Sequence, residues 1–197
     1  MSIIAYYVRI DPNHVDLAAQ NLDSVLAGEF REGGCEIVDI DKAYEPLAWR
    51  ASPLKRAEMA HNNRVMFDDS WPDDEARASV ARLSEMNSDD WFDAIEGRSD
   101  ERIESMSFGL GNSALFSPER VKQLTQALGN LNEAILRENL DFSVMDEQDV
   151  QPGYWQEEGD EGGEETFRSY VLTGLERLKS FYNHAAEAGQ VVIVGYS

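Results

Sequence analysis

The chain has 197 residues, with 38 acids against 17 bases and a formal net charge of −21. A field of that sign repels phosphate backbones and anionic membranes, which argues against nucleic-acid binding through a basic patch, and it draws in basic proteins. A hydrophobic fraction of 42% over this length suffices for one domain with its own core, and the lone cysteine, Cys35, excludes an intrachain disulfide and a cysteine-rich zinc site.

The first residues carry no basic stretch followed by a long apolar one, so no signal peptide is expected. No apolar run is long enough to span a bilayer. The expected location is the cytoplasm. Residues 3–10 are β-branched and aromatic and stop before Pro12, which predicts a buried strand. Asp11-Pro12 then reads as a cap and first position of a helix carrying Val15, Ala18, Leu22, Val25 and Leu26 inward and ending at Gly28. Residues 35–40 predict a short second strand. Asp39 or Asp41 is placed to cap a helix with Ala43, Tyr44, Leu47 and Ala48 on its inner face, and Ser52-Pro53 opens another.

Residues 68–104 hold thirteen acids and only four bases, Arg77, Arg82, Arg98 and Arg102. Two helices fit there, one from Pro72 to about Met86 and one from about Asp89 to Glu96 with Gly97 as its left-handed stop. Acids at their first turns complement the helix dipole, so part of this acidity has a structural origin. A glycine turn follows at Gly109-Leu110-Gly111, and Ser117-Pro118-Glu119 starts a helix with Val121, Leu124 and Leu128 inward, which Gly129 is expected to break. A further helix is expected over residues 131–140. Residues 149–155 form a loop on Pro152-Gly153. The run 157–165, six acids and three glycines, predicts a mobile surface loop. The last helix carries the stripe Phe167, Tyr170, Val171, Gly174, Leu175, Leu178, Phe181, Tyr182 and Ala185, and Val191 to Val194 close the chain as a buried strand. The sum is a helix-rich, layered α/β sandwich around a small sheet, with both terminal strands in that sheet.

Ile4, Tyr7, Arg9 and Ile10, then Asp39-Ile40-Asp41-Lys42-Ala43, Gly109-Leu110-Gly111, Phe116-Ser117-Pro118-Glu119-Arg120-Val121-Lys122, Pro152 and Trp155 stand in an order that resembles the YfbM-like family. Leu175-Glu176, Phe181-Tyr182, Ala185-Ala186 and Gly189 complete the likeness. This is a bacterial domain family of unknown function. The resemblance implies a layered α/β fold and a single domain over residues 1–197. Two departures stand out. The family continues after Asp-Lys-Ala with a helix containing Trp-His, where this chain has Tyr44-Glu45-Pro46-Leu47-Ala48-Trp49 and no histidine. Residues 52–104 have no counterpart and read as an acidic helical insertion.

Two functional classes follow. In the first, the acidic surface, with Asp89, Asp90 and Asp93 as contact residues, binds a basic protein without catalysis, for instance as an immunity or antitoxin protein masking a cationic toxin. In the second, Asp39, Asp41 and Lys42 lie just past a strand end, where α/β folds place ligands, and form an enzymatic or small-ligand site. There Tyr7 and Arg9 would orient an anionic group, and Trp155 with Tyr154 would offer a stacking face. His14, His61 and His184 fall in no ligand spacing and read as surface residues; no metal and no cofactor is expected. Cys35 reads as a small buried hydrophobe.

Overall fold

The computed structural model of the chain describes residues 3–68, 70–99, 101–138, 140–156 and 162–197. The first strand, β1 (Ala5–Ile10), ends where Asp11 accepts a hydrogen bond from the Asn13 amide and starts a short 3₁₀ turn with Pro12 at its head. The helix expected next is broken at Asn21 into α1 (Val15–Gln20) and α2 (Leu22–Leu26). The Asn21 side-chain amide donates to the Leu17 carbonyl at 2.8 Å and so competes with the helix's own ladder. β2 (Glu36–Asp39), α3 (Tyr44–Ala51) and α4 (Pro53–Phe67) follow; Ser52 caps α4, with proline in its first turn. α5 (Asp73–Glu85) and α6 (Asp90–Glu96) lie where the sequence places them, and Asp89 caps α6 by accepting from the Phe92 amide at 2.8 Å.

Two short strands come next, β3 (Arg102–Ile103) and β4 (Ser113–Phe116), then α7 (Pro118–Asn130), α8 (Glu133–Glu138) and α9 (Phe142–Glu147). Gly129 does not break α7. A glycine inside a helix costs only about 1 kcal/mol, and buried Val121, Leu124 and Leu128 hold the helix against the core. The last helical run is continuous: α10 (Gly163–Thr166), a π-helical segment (Phe167–Leu172), then α11 (Thr173–Ala188), which Gly189 ends before β5 (Val191–Tyr196). The acidic run is therefore corrected at its far end, where Glu164 and Glu165 sit in the first turn of α10. Residues 157–161 of that run lie outside the described residues.

The five strands form one antiparallel sheet in the order β2-β1-β5-β4-β3. The two terminal strands are neighbours, with Tyr7 opposite Val194. Strand alternation sends Ala5, Tyr7, Ala114, Phe116, Val192 and Val194 to one face, under α3, α6, α7 and α11. Val8, Ile10, Val191 and Ile193 point to the other face, where Ala18, Val25, Phe30, Met106 and Phe108 cover them. The layered α/β reading holds. Cys35 lies in this second cluster, and burial pushes its thiol pKa up to about 11. Among the described residues no helix is long and apolar enough to cross a membrane.

α6 comes from the acidic stretch, yet Phe92, Ala94 and Ile95 are core residues. Its last carbonyls are therefore buried and need donors. Three tyrosines supply them: Tyr182 donates to the Ala94 carbonyl at 2.9 Å, Tyr7 to Ile95 at 2.6 Å and Tyr196 to Glu96 at 2.8 Å. Gly97 then turns the chain at φ 61°, and a Cβ there would meet the Val194 side chain at 2.7 Å, so no other residue fits.

Removing one hydroxyl leaves a buried carbonyl without its donor. Tyr7→Phe and Tyr182→Phe should each lower unfolding free energy by about 1–3 kcal/mol in urea melts. Tyr154→Phe, at the surface, should change it by less than about 0.5 kcal/mol. Equal stability of all three variants would show that other groups satisfy these carbonyls.

Candidate functional site

The end of β2 carries Asp39, whose carboxylate accepts from the Asp41 amide at 3.3 Å. Asp41 therefore enters a tight turn at φ 50°, a left-handed conformation uncommon outside glycine. Neither aspartate caps α3; the residue at that position is Ala43, with no side-chain bond. The capping role falls to Tyr170 of the π segment. Its hydroxyl accepts from the Lys42 amide at 2.8 Å and donates to the Asp41 carboxylate at 2.8 Å. Burial, then the Asp41 hydrogen bond, push the Tyr170 pKa well up, so the hydroxyl stays protonated at neutral pH.

A cavity of about 340 Å³ opens beside this turn, lined by Asp41, Lys42, Pro152, Tyr154, Thr166, Ser169 and Tyr170. The sequence singled out Asp41, Lys42 and Tyr154. It read Tyr170 as part of the core stripe, because a regular α-helix would keep it there. π-Helical turns change the periodicity and often mark functional positions. The Lys42 ammonium bonds to the neutral side chain of Gln151 at 3.3 Å. Among the described residues it has no ion pair, in a chain where acids outnumber bases 38 to 17.

The other residues expected to bind a ligand lie elsewhere. Tyr7 is fully buried, with its hydroxyl on Ile95. Arg9 faces Glu36 across β1 and β2, and it donates to Gln190 at 2.6 Å. Trp155 is 1% exposed; its indole stacks on Phe142 and its ring N–H donates to Val150 at 2.7 Å. Trp155 thus anchors the loop, and Tyr154, 39% exposed, is the aromatic at the cavity. The loop is gripped further by Asp146, which accepts from the Trp155 and Gln156 amides. Glu45, on the first turn of α3, accepts from the Gln151 backbone; burial holds its carboxyl above the usual range, offset in part by Lys55.

Arg50 is fully buried behind the loop, an assignment no sequence pattern suggests. Its guanidinium lies over the rings of Phe142, Trp155 and Phe167 and donates to the Leu136 carbonyl at 3.2 Å. Burial lowers its pKa to about 9, which leaves it charged at neutral pH.

The acids expected to meet a partner are committed inside the fold. Asp89 caps α6 and also accepts from Ser52 Oγ at 2.7 Å. Asp90 and Asp93 pair with Arg120 of α7 at 2.8 and 2.6 Å. The uncommitted acids of the same stretch include Asp73 and Asp74, exposed in the first turn of α5.

The model of a family described as a domain of unknown function (DUF1877) matches residues 1–195, and the chain belongs to that family. Among solved structures the chain is similar to YfbM from Escherichia coli, a protein of unknown function. The two are 18% identical with a TM-score of 0.60, over 97% of this chain and 98% of that one. At that identity the likeness speaks to the fold alone, and it bears out the resemblance read from the sequence. No curated protein matches the chain.

A carboxyl whose pKa is raised on folding favours the native state while protonated, and that contribution is lost as pH rises through the folded pKa. Glu45→Gln should therefore raise the melting temperature at pH 7, with the gain vanishing below the unfolded carboxyl range near pH 4.3. A melting temperature at pH 7 below that of the wild type would mean that the Lys55 and Gln151 contacts outweigh burial.

Proposed function

We propose that this DUF1877 chain binds a small polar molecule at the Asp41–Lys42–Tyr170 cavity. The observation that supports the reading is Lys42, an ammonium at the wall of a cavity whose partner among the described residues is a neutral amide. It suits an anionic group on the ligand. Asp41, fixed by Tyr170, suits a hydrogen-bond donor, and the exposed ring of Tyr154 suits a flat apolar body. An aromatic amino acid carries all three features. Tyr170 is held neutral, so its part is to hold Asp41 and the start of α3 in place. The reading is one of binding, and an enzyme acting on the same ligand class would use the same three residues.

A second reading, a non-catalytic acidic domain that binds a basic protein in the manner of an immunity or antitoxin protein, is supported by the exposed acids of α5. Asp73, Asp74 and Glu75 crowd its first turn, with Glu75 3.8 Å from Arg64, and α5 has no buried residue. Asp89, Asp90 and Asp93 are poor candidates for such contacts, because their charges already serve α6 and α7.

Calorimetry with L-tyrosine, L-tryptophan and 4-hydroxybenzoate tests the first reading. At least one should bind, and Lys42→Ala and Tyr154→Ala should each weaken it at least tenfold while the melting temperature stays within a few degrees. Undiminished binding by both variants, or no binding by the wild type, would count against this cavity.

A further inference from the structure

We propose that the end of the α4–α5 hairpin is a docking surface for a basic, amphipathic segment of another protein. This rests on the acidic-partner reading and gives that reading a place. Among the described residues, the large apolar side chains more than half exposed are Val65 at 61%, Met66 at 70%, Phe67 at 68% and Val80 at 53%. All four lie on this hairpin. Elsewhere among the described residues Ile3, Leu26, Leu110 and Tyr154 are exposed to no more than 40%, and the buried apolar side chains pack in two clusters. An exposed run of this kind, rimmed by charge, marks an interaction site.

The chain around it states what would cover it. Residues 65–75 read Val-Met-Phe-Asp-Asp-Ser-Trp-Pro-Asp-Asp-Glu, four aspartates and a glutamate with no base. The base closest to them in sequence, Arg64, is turned into the hairpin, 4.3 Å from the Trp71 ring centroid and paired with Asp68 at 3.4 Å and Glu75 at 3.8 Å. Ser70 Oγ donates to Asp68 at 2.6 Å, and His61 stands edge-on to Trp71. Asp73 and Asp74, in the first turn of α5, are left facing solvent. A second copy of the chain would bring the same acids against these, and an anionic membrane would be repelled in the same way. A segment with one apolar face and flanking lysines or arginines satisfies both halves: its apolar face covers Val65, Met66 and Phe67, and its cations meet the α5 first turn.

The test uses fluorescence anisotropy with two labelled 18-residue helical peptides of equal charge, one of leucine and lysine, one of serine and lysine. The leucine peptide should bind at least tenfold tighter. Met66→Ser/Phe67→Ser should erase that preference, and Asp73→Asn/Asp74→Asn/Glu75→Gln should weaken both peptides and flatten their salt dependence. These side chains are exposed, so the variants should melt within a few degrees of the wild type. Equal binding of the two peptides, or a preference untouched by Met66→Ser/Phe67→Ser, would overturn the hairpin as the site while the acidic-partner reading stands. No binding of either peptide at low salt would overturn both. A dimer in sedimentation velocity that Met66→Ser/Phe67→Ser dissociates would assign the surface to a second copy and overturn the proposal.

Discussion

The buried carboxyl end of α6 is the constraint around which the other elements are arranged. A helix seven residues long offers few hydrogen bonds of its own, and its last carbonyls face the core rather than water. Their donors are tyrosine hydroxyls from β1, α11 and β5. One short helix thus joins the first strand, the last strand and the last long helix. The acidic stretch that supplies it is tied to the centre of the fold. Its N-terminal end is fixed in the same spirit, by Asp89 on the Phe92 amide and by Arg120 reaching from α7 to Asp90 and Asp93.

Much of this acidity is consequently architectural. Asp11, Asp89 and Asp141 cap helices, Asp146 holds two loop amides, and Glu164 gathers Arg137 and Arg168. A count of charges treats all acids alike, whereas the structure separates those that close backbone hydrogen bonds from those that face solvent. The second group sets the field that a partner meets. On the α4–α5 hairpin it stands on the same element pair as exposed apolar side chains, and at the cavity Asp41 precedes a lysine that, among the described residues, has no ion pair.

What the sequence revealed and what it concealed divide along the range of the interactions. Local signals were legible: Asp11-Pro12, Ser52-Pro53, Ser117-Pro118, Asp89 and Gly97 all mark real helix ends, because each acts on amides within three residues. The alternation in β1 and β5 was legible for the same reason. Gly129 misled because packing outweighs one unfavourable residue. Interactions across the chain were opaque. Nothing near Tyr7 indicates that its hydroxyl meets Ile95, and Arg50 lies on a helix buried on all sides, where the periodicity of a surface helix does not apply. The site was half visible. Asp41 and Lys42 follow from their place after a strand, while Tyr170 needed the π segment, which no residue pattern announces.

The central pairing of the sheet also bears on how the chain is made. β1 lies between β2 and β5, and it gains β5 as a partner only when residues 191–196 exist. During synthesis on the ribosome it can form its hairpin with β2 early, but its other edge stays open, with its amides and carbonyls unmatched, until residues 191–196 have emerged. Contacts of such long sequence separation are slow to form. An open strand edge held for that time is the kind of surface that chaperones bind and that aggregates recruit. The nascent chain, more than the finished domain, is where this fold is exposed to misassembly.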